Sequence, residues 1–194
     1  IVATCDEETG SETSRGLIEE TAAGARAVLV PEPSLPGGAA KTRRKGIGVY
    51  RLEVRGRAAH AGVDPENGIN ALVELSHEIL AVTGLADPEA GTTISVGEAG
   101  GGTASNVVPA TGWAVVDVRF AAAAEGERVD RAIRALRPRL AGAVLTVTGG
   151  VNRPPVERTP ANAALYEAAR ELAAELGWEL GEGSTGGGSD GSFT

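Results

Sequence analysis

The chain has 194 residues with 26 acids against 18 bases, a net charge of −8. It is long enough to bury a core as one large domain or two small ones, and its acidic balance argues against a nucleic-acid partner. No apolar run reaches membrane-spanning length and no secretory signal opens the chain, so no membrane partner is expected. The single cysteine, Cys5, rules out an internal disulfide and fits a reducing compartment, so the expected location is cytoplasmic. The sequence has no methionine and opens inside a strand-like run, which leads us to expect a piece of a longer protein.

In chain order, IVATCDEETG reads as a short buried parallel strand ending in Asp6, Glu7 and Glu8. Open α/β sheets place their ligand crevices at that edge. One carboxylate there suits a metal while its neighbour holds a proton, the combination that metal-assisted hydrolysis needs. The helix expected around SETSRGLIEETAAG gives the same acids a purely structural reason to sit at its N-terminus. AVLVPEP reads as a second buried strand, and PSLPGGAAKTRRKG as a boundary loop.

From Gly46 the pattern changes. VYRLEVRG alternates as a half-buried strand does. NGINALVELSHEILAVTG places Ile69, Leu72, Val73, Ile79 and Leu80 on one helical face. TTISVGEAG and WAVVDVRF are strand-like, Val129, Ile133, Leu136 and Leu140 mark a second amphipathic helix, and AVLTVTG is a last strand. This βαββαβ order is the ferredoxin-like split unit, with two helices expected on one face of a four-stranded sheet. A third helix carries Leu165, Ala169, Leu172 and Leu176, and the chain closes on a strand-to-loop transition at STGGGSDGSFT.

Several residues suit chemistry individually. Glu32 ends the second apolar run between two prolines that restrict its backbone. His60, among the small residues of GRAAHAG, can donate to a developing oxyanion, although a simple surface position serves it equally. His77 sits among apolar helix positions and reads as a helix-face residue. Asn106 in TASNVVPA, Arg119 in VDVRF and Arg153 in NRPPVE are candidate substrate contacts, arginine being the natural fork for a carboxylate. Arg119 equally suits a solvated strand end. The loop TGGGSDG, with Gly186, Gly187 and Gly188, offers backbone N–H groups to an anion.

Taken in order, CDEETG, VPEPS, GRAAHAG, TASNVVPA, VDVR, RPP and TGGGSDG resemble the di-zinc exopeptidases and deacylases of metallopeptidase clan MH. That family includes glutamate carboxypeptidase, acetylornithine deacetylase, succinyl-diaminopimelate desuccinylase and aminoacylase. SNVVPA and TGGGSD together bring the chain nearest to the glutamate carboxypeptidase branch. The resemblance implies a hydrolase with two zinc ions per complete site, acting on an amide next to a carboxylate-bearing amino acid. It implies Glu7 as general base, and Glu8 and Glu32 as ligands to different zinc ions. It implies that His60 reaches across a homodimer to polarise the scissile carbonyl. Asn106 and Arg153 would hold the substrate carboxylate, with Gly186–Gly188 lining that pocket, and Arg119 matches the family's VR motif.

By the same resemblance, residues 1–44 and 153–194 are segments of an α/β catalytic domain, and residues 45–152 are an inserted α+β lid that dimerises. An edge strand of that lid, near its second helix, is expected to pair or pack with a symmetry mate. The chain departs from the family in one respect. The His-x-Asp pair and bridging Asp before the DEE motif, and the His beyond the glycine loop, have no counterparts here. Two carboxylates alone make a poor zinc site, so the isolated chain is expected to be inactive. An N-acyl amino acid deacylase and a catalytically silent dimerisation module are the alternatives. A ferredoxin-like regulatory domain that binds an amino acid is a weaker one, since it leaves CDEET and GGGSD unexplained.

Overall fold

A computed structural model describes residues 1–194. Two compact units emerge: the first comprises Ile1–Ile47, Phe120–Ala123 and Asn152–Thr194, the second Gly48–Arg119 and Ala124–Val151.

In the first unit the acidic motif forms a 3₁₀ turn, Glu7–Thr9, followed by helix α1 (Arg15–Ala22). Strand β1 (Ala40–Arg44) pairs in parallel with β6 (Glu182–Thr185), making a two-stranded sheet. The longest helix, α4 (Pro160–Glu175), packs on β1. Its start is set by sequence. Pro160 occupies the first turn, where its missing N–H costs nothing, and the Thr159 hydroxyl accepts from Asn162 N–H at 3.1 Å.

The second unit is built on a four-stranded sheet in the order β3-β4-β2-β5, where β2 is Gly46–Arg55, β3 Thr93–Gly101, β4 Thr111–Phe120 and β5 Val144–Arg153. With helices α2 (Ala71–Thr83) and α3 (Ala123–Arg134) this is the ferredoxin-like topology. Period-two patterning determines which side chains go inside. Tyr50, Leu52 and Val54 of β2 and Ala114, Val116 and Val118 of β4 are buried on one face. Val129 and Ile133 of α3 and Leu75 and Val82 of α2 complete the core. Asn70 caps α2 by accepting from Leu72 and Val73 N–H, each at 3.0 Å.

Four expectations are corrected. Residues 1–5 and 27–33 form no strand, and Ile1, Val2, Val28, Leu29 and Val30 are exposed. Apolar sequence makes a segment ready for burial, but a parallel strand also needs a ladder partner, and neither run has one here. Helix α2 is rotated from the expected face. It buries Ala71, Glu74, Leu75, Glu78 and Val82, and leaves Val73 and Leu80 exposed. Helix α3 stops at Arg134, so Leu136 and Leu140 lie in the loop around Pro138. In α4, Leu165, Ala169, Leu172 and the following Leu176 are exposed, while Ala173 is buried and Tyr166 donates to Leu180 O at 2.8 Å.

Candidate functional site

The candidate residues fall into two sets, one in each unit. In the first unit, Asp6 secures the entrance to α1. Its Oδ2 accepts from Thr13 N–H at 2.9 Å, the Thr13 hydroxyl at 2.6 Å and Ser14 N–H at 3.2 Å. Hydrogen bonds from Ser14 and Thr13 hold its carboxyl well below the usual carboxylate range. The structural reason for an acid at this point therefore belongs to Asp6, which leaves the neighbouring acids free of that task.

Glu7 is perturbed in the opposite direction. Burial raises its proton affinity, the Arg153 guanidinium opposes the shift, and the charges of Glu8, Asp190 and Glu32 add to it. Arg153 is buried, and its Nη2 donates to Glu7 O at 2.8 Å, to the Ser11 hydroxyl at 2.8 Å and to Asp190 at 3.1 Å. The Glu7 carboxylate lies 3.4 Å from the same nitrogen. Arg153 thus ties the acidic turn to the C-terminal motif. Its Nε is buried with no hydrogen-bond partner, so part of the guanidinium fork remains unused.

Glu32 is already engaged: one carboxylate oxygen takes Arg44 and the other the Ser189 hydroxyl. Glu8 is exposed. No group of three or more His, Cys, Asp or Glu side chains is placed to hold a metal ion. The side chains of this chain do not by themselves assemble a complete zinc centre. The glycine loop turns carbonyls toward Arg44, which donates to Gly188 O at 2.8 Å and to Gly187 O at 3.4 Å. A Cβ at Gly188 would sit 2.4 Å from Ile47 Cδ1, so any side chain there forces Ile47 to shift.

In the second unit the fold joins two candidates. His60 bridges Val107 in antiparallel fashion: Ala61 N–H donates to Asn106 O and Val108 N–H to Ala59 O, both at 2.9 Å. His60 and Asn106 are both exposed. The Asp64 carboxylate accepts His60 N–H at 2.9 Å, and His60 Nδ1 accepts Gly62 N–H at 3.1 Å. With Nδ1 accepting, Nε2 is the ring nitrogen left to donate. Beside this bridge lies an open cleft of 540 Å³ lined by Ala61, Asn70, Thr103, Ser105 and Val107 among others. Arg119 makes a two-point pair with Asp117 on the same strand, at 2.7 and 2.8 Å.

Sequence reading missed Ser11, Arg44, Ser189 and Asp190, the groups that engage Arg153, Glu32 and the glycine loop. Asp190 stands inside TGGGSDG, a motif read only for its backbone N–H groups.

The pattern of the peptidase dimerisation domain of the M20 family matches residues 42–144, more than half of the chain. The chain belongs to the M20 peptidase family. Its relatives include carboxypeptidase G2 of Pseudomonas sp. (strain RS-16), 34% identical across 97% of this chain and 46% of that protein. Acetylornithine deacetylase of Myxococcus xanthus is 33% identical across 72% of this chain and 39% of that protein. Among solved structures, aminopeptidase PepT of Bacillus cereus ATCC 10987 superposes with a TM-score of 0.76 at 23% identity, covering 98% of this chain and 51% of that one. The M20 chain described here thus spans about half the length of these relatives or less. The fold, the hydrolase family and the presence of a dimerisation domain follow from these matches.

Proposed function

We propose that this M20 chain is part of a zinc-dependent, glutamate carboxypeptidase-like hydrolase that cleaves an amide next to a carboxylate-bearing amino acid. The observation that carries this reading is the match to carboxypeptidase G2 along 97% of the chain, through both units. Residues 1–44 and 153–194 act as catalytic-domain segments, and residues 45–152 as the lid that forms a homodimer. Glu7 takes the proton of the attacking water, a role its raised proton affinity suits. His60 Nε2 donates to the developing oxyanion, in the family's manner on the partner's substrate. Asn106 and Arg153 serve as contacts for the substrate carboxylate, the Gly186–Gly188 loop lines its pocket, and Arg119, paired with Asp117 on its own strand, is a further substrate contact. Two zinc ions belong to the complete site, with Glu8 and Glu32 supplying part of their ligands.

Turnover tests the proposal. Expressed at the full length of its relatives and loaded with zinc, the protein should hydrolyse a glutamyl amide in preference to an N-acetyl amino acid. Glu7→Gln and His60→Ala should each slow it by about a hundredfold or more. A preference for the acetyl substrate would make it a deacylase. Failure to turn over either, with zinc bound, would sink the hydrolase reading. The engagement of Glu32 by Arg44 and Ser189 favours a second reading, a dimerisation module without chemistry of its own. Tight binding of about two zinc ions by this chain would contradict that one.

A further inference from the structure

Helix α2 buries two carboxylates. Glu74 is fully buried and Glu78 is 2% exposed, one helical turn apart on the core face. Neither faces a salt-bridge partner. Both Glu74 oxygens are taken by the loop that follows α3: Arg139 N–H donates to Oε1 at 2.8 Å and Leu140 N–H to Oε2 at 2.6 Å. Glu78 has only Glu74 as a side-chain partner, and its Oε1 is buried with no partner at all.

Two neighbouring carboxylates out of water resist ionising together, so at low pH the pair holds one shared proton or more. The two backbone N–H groups favour charge on Glu74, which leaves the proton on Glu78. The charged groups that reach the pair are few. His77 of α2 bears on Glu74, and Arg139 of the loop bears on Glu78. Strand β3, on which α2 packs, carries only Glu98, which pairs with Val115 on the open face of the sheet.

We propose that Glu74 and Glu78 form a proton-operated latch that fastens the 135–143 loop to α2. With Glu78 protonated, the O–H donates to Glu74 and the single remaining charge clamps the Arg139 and Leu140 amides. When the proton leaves, two like charges face each other in a dry site, Glu74 withdraws toward water, and the loop between α3 and β5 is released. Burial and the neighbouring carboxylate push the Glu78 carboxyl upward, so release falls near neutral pH.

Amide hydrogen exchange on the chain tests this. Protection of the Arg139 and Leu140 amides, corrected for intrinsic rates, should fall about tenfold or more between about pH 5.5 and 8. The Ile133 amide in α3 should not follow. Glu78→Gln should abolish the fall, because the amide side chain still donates but cannot ionise, and Glu74→Gln should lower protection at every pH. Loop protection that stays level with pH, falls together with Ile133, or falls equally in Glu78→Gln would overturn the latch. Should the Gln variants not fold, carboxyl NMR of the wild-type chain decides. The Glu78 carbon and the two amides should titrate together, and amides that do not move with it would reject the proposal.

Discussion

Arg153 donates through Nη2 to Asp190 at 3.1 Å while the same nitrogen holds the Glu7 carbonyl at 2.8 Å. One buried guanidinium thus joins the acidic turn, the end of β5 and the glycine-rich C-terminal motif. Asp190→Asn keeps the shape and removes the charge that balances Arg153. It should destabilise the chain by about 2–3 kcal/mol, because a buried cation is left short of its partner. Urea denaturation measures this, and an unchanged midpoint would show that Asp190 does not carry the junction.

Two glycines in the dimerisation domain make a paired test. A side chain at Gly56 would meet the Ile69 carbonyl oxygen at 2.0 Å, whereas Gly97 has open space around it. Gly56→Ala should cost about 2 kcal/mol or more, and Gly97→Ala should be near neutral. Equal effects in thermal melts would contradict this packing.

Asn70→Ala strips the two side-chain hydrogen bonds that start α2. A loss of about 1 kcal/mol is expected, with Asn70→Asp close to wild type. If Asn70→Asp fell as far as Asn70→Ala in denaturant titrations, the cap would not be the cause.

Stability should also depend on pH through Glu182, whose carboxyl accepts from Arg158 at 2.7 and 2.9 Å and from Thr42 at 2.6 Å. Hydrogen bonds from Arg158 and Thr42 pull it from 4.5 down to about 2. A depressed carboxylate stabilises the fold above its ordinary value and loses that contribution as pH falls from about 4.5 through about 2. Acid denaturation of Glu182→Gln should therefore be shallower across that window, and an identical acid limb would refute the assignment.

Much of the lid was legible because alternation in VYRLEVRG and WAVVDVRF encodes one buried face directly. The rotation of α2 was not, because Glu74 and Glu78 are polar by type and their burial depends on each other and on two distant amides. Strand β1 escaped notice for a similar reason, and β6, the strand expected before the closing loop, was legible without its partner. AKTRR and EGST carry no apolar pattern, and their pairing joins residues far apart in sequence. The candidate site residues stand out singly and by resemblance. Their convergence does not, since Arg153, Glu7, Ser11 and Asp190 meet only through the fold. The bridge between His60 and Val107, which brings Asn106 O to Ala61 N–H, likewise arises from loop pairing that no local spacing announces.

Sedimentation equilibrium of the purified chain over a wide concentration range tests the central claim most directly, that residues 45–152 act as an M20 dimerisation lid. The account predicts a species of twice the 19.6 kDa chain mass, dissociating only on dilution. A monomer at every concentration would contradict it.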